Sequence, residues 1–143
     1  MQFSAKYFKE LTTKELYEIL KVRSQIFIVE QKMNCLDTDG VDYNALHCFL
    51  SVDEKVIAYL RAYKTENNSV KIGRVLTATH GVGLGKELMQ KSIIEIKKRF
   101  SCNKIELHSQ LSAVGFYEKL GFKQIGEKFL EENVWHISME LEL

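Results

Sequence analysis

The segment His80-Gly81-Val82-Gly83-Leu84-Gly85-Lys86 places glycine at three alternate positions. Where such a run joins a strand to a helix, it clears side chains from a place where backbone N–H groups converge, and the helix N-terminus adds partial positive charge. That combination suits an anion. Charge-assisted hydrogen bonds from amides to phosphate contribute roughly 1.5–3 kcal/mol each, so three or four would anchor a pyrophosphate. A Walker loop ending in Gly85-Lys86 needs glycine at position 80 and serine or threonine at 87, where His80 and Glu87 stand. The dinucleotide fingerprint needs a third glycine at 86 or 88, where Lys86 and Leu88 stand. A tight strand-to-helix turn also explains the glycines on spacing alone.

A second chemically suggestive stretch is acidic. Between residues 30 and 46, Glu30, Asp37, Asp39 and Asp42 are set against Lys32 alone. A solvated loop is one reading; a pocket in which Glu30, Asp39 and Asp42 attract an ammonium is another. A calcium loop does not fit, because Asp37-x-Asp39-Gly40 lacks the sixth-position glycine and twelfth-position glutamate of an EF-hand. Arg23 shares a helical face with Leu16, Ile19 and Leu20, so it and Arg74 read as structural partners of these carboxylates.

The elements that must position these groups follow from periodicity. Residues 3–9 alternate as a strand. Thr12 and Glu15 form a capping box, and Leu16, Ile19, Leu20, Ile26 and Phe27 keep helical spacing to about residue 29. The acidic stretch is a loop with room for one short helix. Strands are expected at 47–52, 56–63 and 70–77, joined by gaps short enough for hairpins. Leu84, Leu88, Met89, Ile93, Ile96 and Phe100 form a helix after the glycine loop, with Lys97, Lys98 and Arg99 at its negative end. A short strand (104–108), a helix (113–120) stopped by Gly121, and a closing strand pair (122–129 and 134–141) complete the order β α β β β α β α β β. The fold class is α/β, a mixed α+β sheet of about six or seven strands with three to four helices. It occupies 1–143 as one domain.

Composition limits the alternatives. Hydrophobic residues at 45% and charged residues at 27% are globular values. Twenty basic against nineteen acidic side chains leave a net charge of +1, with no basic arm, which argues against nucleic acid as partner. No apolar run approaches the ~20 residues of a membrane span, and residues 1–6 lack a secretory apolar region. Three cysteines without a C-x-x-C spacing read as reduced thiols, so a cytoplasmic setting, no membrane partner and no metal are expected.

Read with Ala113-Val114-Gly115-Phe116-Tyr117-Glu118-Lys119-Leu120-Gly121-Phe122, the glycine loop resembles the two signature regions of the GCN5-related N-acetyltransferases (GNAT). These are a Gln/Arg-x-x-Gly-x-Gly/Ala loop and a later Ala-x-x-Phe-Tyr-x-x-x-Gly-Phe stretch. His80 replaces the usual Gln or Arg, and Gln110 stands where many members carry Asn. A narrower likeness, to the ElaA-type subgroup, runs through residues 23–31, Asp37-Thr38-Asp39-Gly40-Val41-Asp42, His47, Ile72-Gly73-Arg74-Val75, Gln110 and His136-Ile137-Ser138-Met139. A fainter one reaches acyl-homoserine-lactone synthases.

The resemblance implies a GNAT-type acyl-CoA N-acyltransferase fold and acetyl transfer from acetyl-CoA to a primary amine of a small molecule or protein, by direct attack through a tetrahedral intermediate. It implies cofactor contacts from Val75, Leu76 and Thr77 on a splayed strand, from His80, Gly81, Val82, Gly83, Leu84, Gly85 and Lys86 in the loop, and from Gln110, Phe116 and Tyr117. Tyr117 matches the position whose phenol protonates the departing thiolate, although packing alone also accounts for a tyrosine there. His108, His136 and Glu30 are candidate acceptors of the amine proton, each histidine equally readable as a satisfied structural residue. A homodimer through a sheet edge is compatible with this reading, with 134–141 either serving as a pairing edge or covered within the monomer. The rivals are a non-catalytic acyl-CoA binding or sensing module, which would dispense with Tyr117, and a lactone-synthase-like acyltransferase, which would need a longer chain.

Overall fold

In the computed structural model, which describes residues 1–143, the expected capping box starts helix α1 (Thr13–Arg23). The Thr12 hydroxyl accepts the Glu15 N–H at 3.0 Å and the Glu15 carboxylate accepts the Thr12 N–H at 2.8 Å. The backbone continues as a π-helix over Ser24–Glu30, the Gln31 N–H reaching Ile26 O at 3.0 Å. The helical segment ends near where spacing places it, but its last part is wound more widely, a difference that apolar spacing over seven residues does not resolve. Before it, β1 (Gln2–Tyr7) stops short of residue 9. The Glu10 carboxylate accepts the Tyr7 N–H at 2.8 Å and folds Phe8–Glu10 into a 3₁₀ turn. The acidic stretch contains one short 3₁₀ helix, Val41–Asn44.

The remaining elements are β2 (Leu46–Val52), β3 (Lys55–Lys64), β4 (Ser69–Thr77), α2 (Leu84–Arg99), β5 (Lys104–Gln110), α3 (Val114–Lys119), β6 (Lys123–Glu131) and β7 (Val134–Glu142). They form a seven-stranded sheet in the order β1-β2-β3-β4-β5-β7-β6. All pairs are antiparallel except β4 with β5. The β2–β3 and β6–β7 hairpins turn on Asp53-Glu54 and Glu132-Asn133, all four with positive φ, the backbone sense that matches strand twist.

Strand alternation assigns each helix a face. Leu46, Cys48 and Leu50 of β2, Ala58, Leu60 and Ala62 of β3, and Ile105 and Leu107 of β5 point to one side, where Leu88, Met89 and Ile96 of α2 and Tyr117 of α3 cover them. Phe49, Tyr59 and Leu76 point to the other, against Ile19, Val22 and Ile26. Burying a side chain of this size contributes roughly 1.5–3 kcal/mol, so both layers hold the sheet from which the site is built. The closing strand β7 lies between β5 and β6 rather than at an edge. The edges are β1 and β6, so of the two readings of 134–141 the strand is covered within the monomer. No helix is long and apolar enough to cross a membrane.

Candidate active site

The sheet parts between β4 and β5. The strands pair where Ser69, Val70 and Lys71 face Lys104, Ile105 and Glu106, and then continue to Thr77 and Gln110 without meeting. Just past the last paired residues, β4 carries a bulge. Leu76 aligns with Tyr59 and Gly73 with Arg61, so Arg74 and Val75 together oppose Leu60, and Arg74 has φ +53°. A bulge bends and twists its strand, and here the end of β4 leaves β5. A cleft of about 470 Å³ opens in the gap, lined by Gly73, Arg74 and Val75 on one side and Leu107, His108 and Gln110 on the other. The Ala78 N–H donates to Ile57 O at 2.8 Å. By strand alternation, the Thr77 and Val75 amides therefore point toward the gap, while Leu76 packs in the core on the α1 side.

The glycine loop leads from β4 into α2. Gly81 and Gly83 have φ of +79° and +78°, and a Cβ on either would meet nothing within 4 Å. The first bond of the helix runs from Glu87 N–H to Gly83 O at 3.2 Å, and the amides of residues 81–86 donate to no backbone acceptor. Successive open amides at a helix N-terminus, with free space over the glycines, fit an anion such as a pyrophosphate. Gly85 has a different job. Its Cβ would come within 3.2 Å of Phe116 Cζ, so the missing side chain here makes room for a ring that joins α2 to α3. Exposed His80 has Nδ1 3.5 Å from Thr77 Oγ1.

On α3 the Tyr117 ring packs edge-on against Phe116 and Phe122, with centroids 5.1 and 5.9 Å away, and lines the cleft. Burial pushes its phenol up to about 12, with no hydrogen bond opposing the shift. At neutral pH Tyr117 is therefore a protonated donor without a partner in the chain.

Sheet register brings the two histidines into the same cleft. Gln110 and Phe129 both stand opposite His136, and His108 stands opposite Ser138, one step along β5 on the same face. The Phe129 ring lies between the imidazoles, 5.0 Å from His108 and 6.1 Å from His136. His136 Nδ1 is 2.7 Å from Val134 O. A carbonyl only accepts, so Nδ1 carries the hydrogen, and Nε2 has no partner in the chain. His108 Nδ1 is likewise 2.8 Å from Glu131 Oε2, which holds the ring with Nε2 free. Phe129 and Glu131 are absent from the sequence-based expectations; their signal is the hairpin register that sets Phe129 opposite His136. His47, by contrast, is buried between the Tyr59 hydroxyl at 2.7 Å and Asp42 O at 2.9 Å. Burial lowers its pKa, keeping it a neutral structural residue.

The acidic stretch is held by arginines. Asp42 Oδ1 accepts from Arg23 Nη1 at 2.7 Å and Arg61 Nη1 at 3.0 Å. Asp39 meets Arg61 in a fork, at 2.8 and 2.7 Å, and the hydrogen-bonded guanidinium brings its pKa down to about 2. Asp37 accepts Arg23 Nε at 3.0 Å and Arg74 Nε at 2.9 Å. The charges of these carboxylates and guanidiniums cancel, which favours the reading of Arg23 and Arg74 as partners of the acids over that of a surplus of negative charge. Asp42 is buried between two cations, and Asp39, though it lines the cleft, is already paired. Glu30 is exposed at the end of the π-helical segment and does not line the cleft. Arg23 and Arg74 are partners of the carboxylates, as spacing suggested, whereas Arg61 was missed because an isolated strand arginine has no distinctive pattern. Among cleft carboxylates, Glu131 and Glu132 have no arginine partner. No three His, Cys, Asp or Glu side chains are grouped to hold a metal ion.

Comparison with known proteins agrees with this geometry. The family model described as "Acetyltransferase (GNAT) domain" matches residues 12–143. A UPF0039 protein of Schizosaccharomyces pombe is 35% identical, over 100% of this chain and 98% of that protein. An acyl-CoA N-acyltransferase from Pseudomonas aeruginosa superposes with a TM-score of 0.92 at 30% identity, covering 99% of each chain. Escherichia coli ElaA superposes equally well, 0.92 at 28% identity over 99% of each chain. An acyl-homoserine lactone synthase reaches 0.82 over 98% of this chain and 82% of its own, but at 13% identity shares the fold alone. The seven-stranded sheet, its parted centre and the loop at α2 are thus those of a family: this chain belongs to the GNAT acetyltransferases and is similar to ElaA.

Proposed function

We propose that the chain is an N-acetyltransferase that moves an acetyl group from acetyl-CoA to a primary amine of a small molecule or protein. The observation that carries this reading is the run of open amides at residues 81–86, next to a parted sheet into which the unpartnered side chain of Tyr117 faces. The loop amides would hold the pyrophosphate, and the β4 edge at Val75 and Thr77, with Gln110 across the gap, would pair with the pantetheine arm. A gap-facing amide of β4 would stabilise the oxyanion of the tetrahedral intermediate. Acyl transfer needs a proton taken from the ammonium and one given to the thiolate. His108 and His136 each present a free Nε2 for the first. Tyr117, kept protonated by burial, would supply the second. This role separates the proposal from a binding-only module, which has no use for an unpaired phenol. Unpaired Cys35, Cys48 and Cys102 suit a cytoplasmic setting.

The test is calorimetric titration of acetyl-CoA followed by thiol release with a panel of primary amines. Binding is expected, and Tyr117→Phe should lower turnover about 10²-fold or more with little change in acetyl-CoA affinity. No binding of any acyl-CoA, or full turnover in Tyr117→Phe, would overturn the reading.

A further inference from the structure

Arg74 has a left-handed backbone in the middle of a strand, where only glycine sits without steric cost, and the chain places an arginine there directly after Gly73. Its side chain is not free. Arg74 Nε donates to Asp37 Oδ1 at 2.9 Å, and Nη2 donates to Asp37 O at 3.0 Å and to Asp39 Oδ2 at 3.4 Å. Asp37 is in turn fixed from behind. Arg23 Nε reaches its Oδ2 at 3.0 Å and Arg23 Nη2 its carbonyl at 2.9 Å. Arg23 is wholly buried at the end of α1, over the Tyr59 ring and on Asp42. One aspartate therefore links the end of a packed helix to the bulged residue of β4, just past the point where its pairing with β5 stops.

We propose that Asp37 is a positioning residue for acyl-CoA: by clamping Arg74 it maintains the β4 bulge and so keeps the slot between β4 and β5 open. The inference rests on the proposed acyl-CoA binding and adds a residue that touches none of the reacting atoms. Without the clamp, the left-handed conformation at a residue bearing a Cβ loses population, and apparent affinity falls by the fraction of molecules that keep the slot. The steric cost of that conformation corresponds to roughly a tenfold population change. Glycine at position 74 has no such cost, so there the bulge needs no clamp.

The experiment is acetyl-CoA titration into the wild type, Arg74→Ala, Arg74→Gly, Asp37→Asn and Asp37→Asn/Arg74→Gly, with thermal melting to confirm folding. Arg74→Ala and Arg74→Gly lose the same side chain and differ only in backbone freedom. Arg74→Ala is expected to bind about tenfold more weakly than Arg74→Gly. Asp37→Asn should bind more weakly than the wild type, and adding Arg74→Gly should restore affinity to that of Arg74→Gly alone. Equal affinities of Arg74→Ala and Arg74→Gly would overturn the proposal even if Asp37→Asn fails to fold. Weak binding by Asp37→Asn without rescue by glycine would make Asp37 a mere loop anchor and also overturn it. Absence of binding by the wild type would instead bring down the proposed function, and this inference with it.

Discussion

Replacing Gly83 by glutamate puts the anion-binding role of the loop at direct risk. Gly83 has φ +78° with nothing within 4 Å of where a Cβ would stand, so the new side chain has room. A residue with a Cβ in this conformation costs stability of order 1–2 kcal/mol. That cost falls on folding, and a control can match it. Gly126 on β6 has φ +75°, the same open surroundings and an exposed position remote from the loop. Gly126→Glu therefore carries the same backbone penalty and the same charge without the proposed site. At Gly83 the carboxylate would stand among the amides of residues 81–86. About 5 Å from a phosphate charge, at an effective dielectric near 20, it is repelled by about 3 kcal/mol. Each amide bond it displaces removes a further ~1.5–3 kcal/mol. Even with the Coulomb part halved by solvent, the sum exceeds about 2.7 kcal/mol, or ~100-fold in affinity. Calorimetric titration of acetyl-CoA into both variants is the assay. Affinity in Gly83→Glu should fall at least ~100-fold, while Gly126→Glu stays within about twofold of the wild type. Equal binding by the two variants would show that the glycines form only a turn.

Two further outcomes follow from the charges and thiols. The Asp39 pKa lies at about 2 in the folded protein against an ordinary 3.8, so its pairing with Arg61 stabilises the fold fully above pH 3.8 and is lost as pH falls through 2. Asp42 is shifted in the same direction by Arg23 and Arg61 against the cost of burial. Melting temperature should be level near neutrality and drop below about pH 4, and Asp39→Asn should melt lower at pH 7 with a shallower acid decline; an unchanged acid slope would refute the pairing. Cys35 is exposed on the cleft, whereas burial pushes the Cys48 thiol up to about 12 and raises Cys102. Native protein should show one fast thiol with a disulfide reagent, slowed by saturating acetyl-CoA; fast labelling of Cys48 or indifference to acetyl-CoA would contradict the cleft as described.

Local chemistry made much of this molecule readable in one dimension. The capping box at Thr12 and Glu15, the hairpin gaps and the apolar spacing of α2 each depend on residues a few positions apart, and each recurs in the structure close to its expected bounds. The glycine loop was legible for the same reason, since its geometry is made within residues 81–86. Even there the reading was coarse: Gly81 and Gly83 have open space above them, but Gly85 answers to Phe116, a ring more than thirty residues away.

The sequence alone thus determined the elements, the family resemblance and the place of the glycine loop, because short-range backbone preferences and side-chain periodicity set those. Only the tertiary structure decided what the acidic stretch and the histidines touch. Arg23 and Arg74 were legible as partners of Asp37, Asp39 and Asp42, but only the fold brings in Arg61, so that arginines from three other elements neutralise the stretch. His108 and His136 were unconnected positions until β5, β7 and β6 came into register and set Glu131 and Phe129 against them. Ion pairing and cross-strand contact depend on distance in space, and residues far apart in sequence acquire that distance only when the chain folds.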